Sequence, residues 1–517
     1  MPISVAQIFS ALAFDSSTRL YRLDAAGDLA DLLVESWACR ETLNEPWELE
    51  LNTLGTNCDL DIHAMLGQKV TLQTVLADGS LHTRTGIVTA AAIEDADGGF
   101  ARYILTVRPW IALLAHTRQS RVWVEKPFTE LIESVFTRYA ANAQWRWADD
   151  ISEHLARSPF SSTNTPSAHR SYTVQYRETD LDFLSRLLAE EGLVWRVEED
   201  PSAPAGHTVV LLADTVRASS CPEDATSQSG VAAGDGGIRF HRSSAVETSD
   251  AVQAWGGVRQ FQPATTTVLA WDYAAKCAVA ASVPTAQAFA GPNAPRLEQY
   301  TPAPAYSYAT RAQADRAGVL AQEAIEARHK TWLGRSTVRT LRAGHRFRLA
   351  DSPLDVLGAT PERSTFLTTA VTSAGINNLP KDLSAHIAER GGTTGPELLP
   401  AWVDDAVRAQ VAATGYANAF EAIRADVPWR PAPLPRPKAP GPLTATVVGA
   451  DGSSTPTAGA EIHTDRLGRI RIRHDFQPEG EGSTWVRVMQ PFAGAGMGLQ
   501  FTPRIGQEVL LNFIDDD

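Results

Sequence analysis

One stretch of this chain excludes a single continuous fold. Residues 428–442 read PWRPAPLPRPKAPGP, and prolines recur there at every second or third position. Proline lacks a backbone N–H and fixes φ, so such a run cannot continue a helix or lie inside a sheet. It favours an extended, stiff connector. The sequence therefore predicts a boundary here, with a separate unit on the C-terminal side.

The segment after the connector is predicted to be a small all-β unit. Its four strand candidates are TATVVGA, GRIRIRHDF, STWVRVMQP and GQEVLLNFI. Four strands in about 75 residues is a density that suits a five-stranded barrel of the OB type.

The larger N-terminal part mixes short strands with a few helices. With 517 residues, 44% of them hydrophobic, the chain has material for roughly three or four domains. The run KVTLQTVLADGSLHTRTGIVTAAAIE contains two alternating stretches joined at residues 77–80, which predicts a hairpin. RYILTVRPW supplies a third strand. This pattern is typical of a barrel or a meander.

Three helices are predicted from periodicity and end signals. In PFTELIESVFTRYA the apolar residues form one stripe, which should lie on a sheet. In ETDLDFLSRLLAEEGLVW, Thr179 is the predicted N-cap, Gly192 ends the helix and the leucines are its buried side. The alanine-rich segment 310–332 is the third helix, stopped at Gly334. Residues 199–236 are expected to be loops around one strand, TVVLLA.

Composition argues against several classes of function. The formal net charge is −14, from 46 basic and 60 acidic residues, which disfavours nonspecific binding to nucleic acid or anionic lipid. The four cysteines have no metal or disulfide spacing, which fits a reducing compartment. No run reaches the roughly 18 apolar residues of a membrane span, and no basic residue precedes the first apolar stretch. We therefore expect a cytoplasmic chain without a signal peptide.

A search for catalytic, cofactor-binding and metal-ligating motifs predicts no such residue. The sequence contains no HExxH, P-loop, GxSxG or zinc-type Cys/His spacing. The glycine cluster GAGMG at residues 494–498 precedes the strand-like LQFTP, where a dinucleotide loop would begin a helix, so a tight turn is favoured. The adjacent carboxylates Glu190 and Glu191, and likewise Asp149 and Asp150, are interpreted as surface charge because sequence neighbours point apart.

Three arginines share one face of the strand candidate GRIRIRHDF. They are Arg469, Arg471 and Arg473. Such a face on an OB fold could bind single-stranded nucleic acid. The acidic chain favours instead a solvated or subunit-facing side, with Ile470 and Ile472 in the core.

Five long segments carry a family resemblance, in consistent order along most of the chain. They are YTVQYRETDLDFLSRLLAEEGLVW, YANAFEAIRADVPWRP, GPLTATVVGADG, TDRLGRIRIRHDF and TWVRVMQPFAGAGMGLQFTPRIGQEVLLNFIDDD. Together they resemble VgrG, the trimeric spike protein of the bacterial type VI secretion system. Several long motifs in register are far more specific than one short pattern. Residues 200–300 resemble the family least.

The resemblance implies a mainly β fold with some α: tandem phage-tail-hub-like β-barrels with helical insertions, followed by an OB-fold barrel. Residues 1–150 are assigned to the first barrel with its helix and 151–380 to the second barrel with the long helix. Residues 381–442 are assigned to a helical connector and proline-rich linker, and 443–517 to the OB domain. In the family a β-helix needle follows, and residues 513–517 are expected to lead into it. Three copies of the final aspartates would then meet on a threefold axis and repel one another.

The resemblance also implies a mechanical function without catalysis, cofactor or metal. A homotrimer would seat on the tube of Hcp rings and engage baseplate proteins in the cytoplasm. It would then be translocated out of the cell by the secretion machine, and would meet the target membrane only by mechanical puncture. A PAAR-type tip protein and effectors or adaptors would attach through the region after the OB domain; nucleic acid is not an expected partner. Cyclic symmetry would cover the strand edges that small barrels leave open.

Two alternatives remain open at this point. The first is a hub and spike protein of a phage tail or of an extracellular contractile injection device, which shares the fold. The second is a carrier of an enzymatic effector domain that this sequence does not include.

Overall fold

The structure is a computed structural model of a chain built mainly from β-strands. It describes residues 18–513 except 97–99, 161–168, 231–235, 242–248, 274, 290, 292, 305–306, 353–360, 381–382, 385–386, 388–392, 458, 479 and 495–496. The predicted mainly β fold with some α-helix is confirmed.

The strands of the described residues are numbered here in chain order. They are β1 (Tyr21–Ala25), β2 (Leu33–Thr42), β3 (Glu48–Gly55), β4 (Lys69–Val75), β5 (Leu81–Ala96), β6 (Ala101–Arg108), β7 (Arg118–Pro127), β8 (Trp145–Trp147), β9 (His169–Thr179), β10 (Val194–Glu199), β11 (His207–Leu212), β12 (Ile238–Arg239), β13 (Val252–Arg259), β14 (Thr265–Asp272), β15 (Cys277–Pro284), β16 (Glu298–Pro302), β17 (Lys330–Ser336), β18 (Arg346–Ala350), β19 (Thr365–Ile376), β20 (Tyr416–Arg424), β21 (Leu443–Val448), β22 (Arg471–His474), β23 (Phe492–Gly494), β24 (Met497–Leu499) and β25 (Glu508–Leu511).

The helices lie between these strands. The α-helices are α1 (Ile62–Met65), α2 (Phe128–Phe136), α3 (Ile151–Leu155), α4 (Asp180–Glu191), α5 (Ala225–Ser229), α6 (Arg311–His329), α7 (Pro361–Ser364) and α8 (Asp405–Thr414); the 3₁₀ helices are Gly27–Asp31, Trp110–His116, Thr137–Tyr139 and Gly395–Leu398. No helix of the described residues is both long and apolar enough to cross a membrane.

One large sheet runs through most of the residues before the proline-rich segment 428–442, and these residues are called the hub here. Its main order is β1-β4-β5-β6-β3-β2-β19-β20-β17-β13, with β18 on β19 and β12 on β18. The predicted hairpin is present, since β4 and β5 pair from Val75 opposite Leu81. Strand β2 pairs with β19, so the sheet joins the segments assigned above to the first and the second barrel. The four domain ranges stay a prediction.

The larger hydrophobic core lies between the first six strands and helices α2 and α4. Its side chains include Trp47, Leu49, Tyr103, Trp110, Leu131, Phe136, Leu184 and Leu187. Each fully buried side chain of this size contributes about 1.5–3 kcal/mol to stability. A second core forms around the stacked rings of Trp255 and Trp332, whose centroids are 5.2 Å apart, together with Phe347, Phe366 and Phe420.

Helices α2, α4 and α6 confirm most of the sequence predictions. The Thr179 hydroxyl accepts a hydrogen bond from the Asp182 N–H at 3.0 Å, and Gly192 ends α4 in the left-handed region at φ 69°. Helix α6 begins with a capping box at Thr310. Its predicted end was wrong: the helix stops at His329, and Gly334 lies in β17, because that segment pairs with β13 and β20. The 199–236 region contains β11 as predicted, and also α5.

The OB unit has its own small core. Strands β22, β21 and β25 form a three-stranded sheet, and Ile470 and Ile472 are buried against Ala445 and Val447, as predicted. The candidate STWVRVMQP is not a strand; only Val486 forms a bridge, with Ile470. Strands β23 and β24 instead make a separate two-stranded hairpin.

The proline-rich segment connects the hub to the OB unit as an extended chain. Residues 428–442 form neither helix nor strand. The segment is docked on the hub: Arg430 is buried and donates from Nη1 to the Gly192 carbonyl at 2.9 Å and from Nε to Glu323 at 2.7 Å. Farther along, Arg436 donates to Glu190 at 3.1 Å. The predicted connector is therefore present and held at two points.

Candidate assembly surface

The OB unit exposes a stripe of large apolar side chains. Phe492, Met497, Leu499 and Phe501 are each between 58% and 66% exposed. In the hairpin, Phe492 pairs with Leu499 and Gly494 with Met497, so the three apolar side chains of these pairs share one face because strand residues alternate. Contiguous exposed apolar side chains can mark a site of protein association, so this stripe is a candidate assembly surface.

The side-chain amide of Gln490 extends the stripe beyond the hairpin by binding the backbone of Phe501. The Phe501 N–H donates to the Gln490 side-chain oxygen at 2.9 Å, and the Gln490 amide donates back to the Phe501 carbonyl at 3.3 Å. These bonds hold Phe501 beside the two strands. Gly494 lies in β23 and Gly498 in β24, and residues 500–504 after them form no strand, so the strand-like reading of LQFTP was wrong. Residue 495, in the predicted turn, lies outside the described residues. Gly496 lies outside the described residues.

Strands β25 and β16 lie at the edges of their sheets and expose large apolar side chains. Strand β25 ends the OB sheet, and its Leu510 is largely exposed. Strand β16 ends the β15-β14-β16 sheet and is exposed along its whole length, including Tyr300. Open edges with apolar side chains pair readily with another chain.

The three arginines of the predicted strand GRIRIRHDF have partners within the chain, and two of them lie in β22. Arg469 forms an ion pair with Asp465 at 2.6 Å and donates to the Tyr273 hydroxyl of the hub at 3.0 Å. The Arg471 guanidinium lies 4.9 Å from the centroid of the Trp485 ring. Arg473 also has an interaction partner within the chain. Two of these contacts are internal to the OB unit, and one joins it to the hub.

The paired carboxylates were interpreted wrongly as surface charge. Glu191 is fully buried and accepts from Arg170 at 2.7 Å, while Arg170 also contacts Glu190 at 2.6 Å. Asp150 is buried too and accepts from the backbone N–H of Asp214 at 2.8 Å. The sequence rule concerns neighbours on one element, whereas these partners come from other elements. Only Asp149 is exposed.

The most perturbed aspartate has a structural explanation. Burial raises the pKa of Asp224 to about 6. Its carboxylate caps α5 by accepting from the Thr226 N–H at 2.9 Å, and it also accepts from the Thr340 hydroxyl at 2.9 Å. Among the described residues no group of three His, Cys, Asp or Glu side chains could hold a metal ion.

Comparison with known proteins assigns the fold to a family. A family model described as the phage tail baseplate hub matches residues 40–379, about two thirds of the chain. The chain belongs to the phage tail baseplate hub family. A second model, described as the type VI secretion system/phage-baseplate injector OB domain, matches residues 460–517 of this hub family member.

Individual relatives confirm the resemblance to VgrG. The type VI secretion system spike protein VgrG1b of Pseudomonas aeruginosa is 28% identical over 517 residues, which cover 98% of this chain and 60% of the relative. VgrG1a of the same organism is 28% identical over 511 residues, covering 97% of this chain and 68% of the relative. The chain thus spans less than two thirds of VgrG1b.

A solved structure has the same fold. It is the E. coli c3393 protein, a component of the type VI secretion system with structural similarity to the T4 bacteriophage tail proteins gp27 and gp5. The TM-score is 0.57 at 17% sequence identity, over 96% of this chain and 97% of that one.

The sequence analysis did not predict the exposed apolar stripe, although the alternating apolar residues around the glycine cluster were a visible signal for it.

Proposed function

We propose that this chain is the homotrimeric hub and spike protein of a type VI secretion system. The observation that carries the proposal is the exposed apolar stripe on the OB hairpin, in a chain whose relatives are VgrG spike proteins. A monomer would leave this surface in water. A closed ring of identical subunits covers it without forming an open filament.

The role we infer is mechanical. The trimer assembles in the cytoplasm, seats on the Hcp tube and contacts baseplate proteins. Sheath contraction then carries it out of the cell and through the target envelope, together with effectors and a PAAR-type tip. No catalytic step is required, and we propose that the chain itself is not an enzyme. One result would contradict the absence of catalysis. It is turnover of peptidoglycan, lipid, NAD or nucleic acid by the purified protein that a point substitution abolishes.

A second candidate is the hub of a phage tail. It is supported by the family model over residues 40–379, whose description names the phage baseplate. Sheath, ring and membrane-complex genes beside the gene for this chain would favour the secretion system. Capsid and tail-fibre genes would favour the phage.

Light scattering tests the trimer. We expect a mass of three times 55.8 kDa for the unmodified chain at micromolar concentration. Leu499→Asp places a charge in the stripe and should shift the mass toward one subunit, because a buried unpaired carboxylate is strongly unfavourable. Leu66→Asp is the matched control, since Leu66 is an exposed leucine outside the stripe. A monomeric unmodified chain, or equal masses for the two variants, would contradict the proposed interface.

A further inference from the structure

A cleft of about 530 Å³ lies between the hub and the OB unit. Six residues of β7 between Ser120 and Lys126 form one wall. The other wall is the OB loop, through residues 476–478 and 481–482. The volume is within the range of about 300–1,000 Å³ that ligand pockets occupy. At about 3.3 Å per residue, the β7 wall is roughly 20 Å long.

Aromatic and polar contacts hold the two walls in place. The Tyr172 hydroxyl and His474 Nε2 are 3.0 Å apart, which joins β9 to the OB unit. Phe476 stacks on His474 with ring centroids 4.9 Å apart and contacts Tyr176 at 6.0 Å. On the hub wall, Trp123 stacks on Phe183 at 5.0 Å. Because these walls are already held in place, the protein loses little conformational entropy when a ligand binds.

The hub wall is a strand with one unpaired edge. Strand β7 pairs with β9 in a two-stranded sheet, and no other strand of the described residues pairs with its second edge. Such an edge presents alternating backbone N–H and C=O groups. An extended peptide can satisfy them by adding a strand, and its backbone hydrogen bonds then supply the affinity.

The OB wall contributes a buried donor without a partner. Gln477 is 8% exposed and lines the cleft. Its side-chain oxygen accepts from the His474 N–H at 2.9 Å, which assigns the nitrogen as donor. That Nε2 has no hydrogen-bond partner within the described part of the protein. An unsatisfied buried donor costs about 1–3 kcal/mol, so a ligand carbonyl would be favoured here.

The hub wall also carries two positive side chains that line the cleft, Arg121 and Lys126. Arg121 and Arg138 both pair with the single carboxylate of buried Asp180, at 2.6 and 3.3 Å. Lys126 pairs with Glu130 at 2.5 Å, and both are half-exposed. On the opposite wall Glu481 is the one lining carboxylate. Because Arg121 lines the cleft and shares the Asp180 carboxylate with Arg138, an acidic side chain on the hub-facing side of a ligand would complement the Arg121 guanidinium.

We propose that this cleft binds an extended segment of a partner protein by strand addition to β7, with a carboxylate of the segment near Arg121 and a backbone carbonyl on Gln477 Nε2. The site lies within one subunit, so it does not depend on the trimer. It goes beyond the mechanical role proposed above by giving the hub a peptide-docking site.

Fluorescence polarisation with a defined probe tests the proposal on the full chain. The probe is a fluorescein-labelled peptide, Thr-Val-Thr-Asp-Thr-Val-Thr, with alternating β-branched residues and one central carboxylate. We expect saturable binding that weakens as salt is raised, because the central contact is between charges. Gln477→Leu should weaken binding about three- to tenfold, by loss of one hydrogen bond. Gln68→Leu is the matched control, since Gln68 is exposed and does not line the cleft.

Two altered probes separate the parts of the proposal. A peptide with Lys in place of Asp should bind at least threefold more weakly. A peptide with N-methylated backbone should not bind, because strand addition needs its N–H groups. The titration uses the protein concentrations of the light-scattering experiment. If the first probe does not bind saturably at peptide concentrations up to about 1 mM, the proposed site is overturned. Equal binding by the Gln477→Leu and Gln68→Leu variants would overturn its location.

Discussion

At the scale of single residues, buried charge is the main surprise of this molecule. Arg170 lies between Glu190 and Glu191, and Arg436 and Arg186 also contact Glu190. Burial alone would raise the pKa of Glu190, but the three arginines outweigh it and hold that pKa below its usual value. This contribution to stability is therefore present above pH about 4.3 and is lost as the pH falls through the lower folded value.

Removing Arg170 should be strongly destabilising. In Arg170→Leu, Glu191 would stay buried without its counter-ion, and loss of one member of a buried pair costs about 3–5 kcal/mol. Urea unfolding followed by tryptophan fluorescence measures the change. Arg157→Leu is the control: this exposed arginine faces Glu153 at 3.6 Å, and such pairs contribute at most about 1 kcal/mol. Equal unfolding midpoints for the two variants would contradict the prediction.

Two buried histidines should make the fold sensitive to acid. Burial lowers the pKa of both His154 and His207 to about 4. His207 Nε2 accepts from the Trp110 N–H at 2.9 Å, and a protonated ring would lose that bond. The unfolded chain binds these protons below pH about 6.5, so stability is full above that pH and falls toward pH 4.

The slope of the unfolding free energy against pH identifies which histidine is responsible. Each histidine contributes up to about 1.4 kcal/mol per pH unit in this window. His207→Gln should reduce the slope of unfolding free energy against pH without abolishing it, because His154 remains, whereas His63→Gln, at an exposed position on α1, should leave the slope of the unmodified chain. A flat profile between pH 7.5 and 5 for the unmodified chain would contradict the argument.

At the scale of elements, close approach between strands leaves some positions no room for a side chain. A Cβ at Gly86 in β5 would lie 2.7 Å from the Arg108 carbonyl oxygen and 2.6 Å from the Trp47 ring. The backbone of a neighbouring strand cannot move without disturbing the sheet. Gly86→Ala should therefore lower the free energy of unfolding by about 1–3 kcal/mol. Gly256→Ala is the matched control on β13, where nothing lies within 4 Å. Thermal unfolding of both variants checks this, and similar midpoints would refute it.

Elements with local signals could be predicted from the sequence, and those without could not. Helix α4 carries its cap at Thr179, its end at Gly192 and its leucine stripe within one short segment. The pairing of β2 with β19 has no local signal, because a strand pattern does not specify a distant partner. The burial of Glu191 was missed for the same reason, since its partner Arg170 lies in β9. The apolar stripe was visible as alternation, but alternation alone does not say which face is left in water.

At the scale of the whole molecule, the hub should unfold as one unit. Strand β2 needs β19 beside it, and the core under the first six strands needs the side chains of α4. A fragment of residues 1–150 lacks both. We expect it to show no cooperative thermal transition by circular dichroism, whereas a fragment of residues 18–425 should show one. A cooperative transition in the shorter fragment would indicate an independent first barrel.

The docked linker has a mechanical consequence. A free proline-rich chain of this length would act as a semi-rigid spacer whose ends still move relative to each other. Here Arg430 and Arg436 both bind the C-terminal end of α4, where the carbonyl groups favour cations. Tyr172 and His474 close the junction on the far side of the linker. Bending at this joint would therefore have to break these hydrogen bonds, which makes the connection between hub and OB unit stiffer than the proline-rich chain alone.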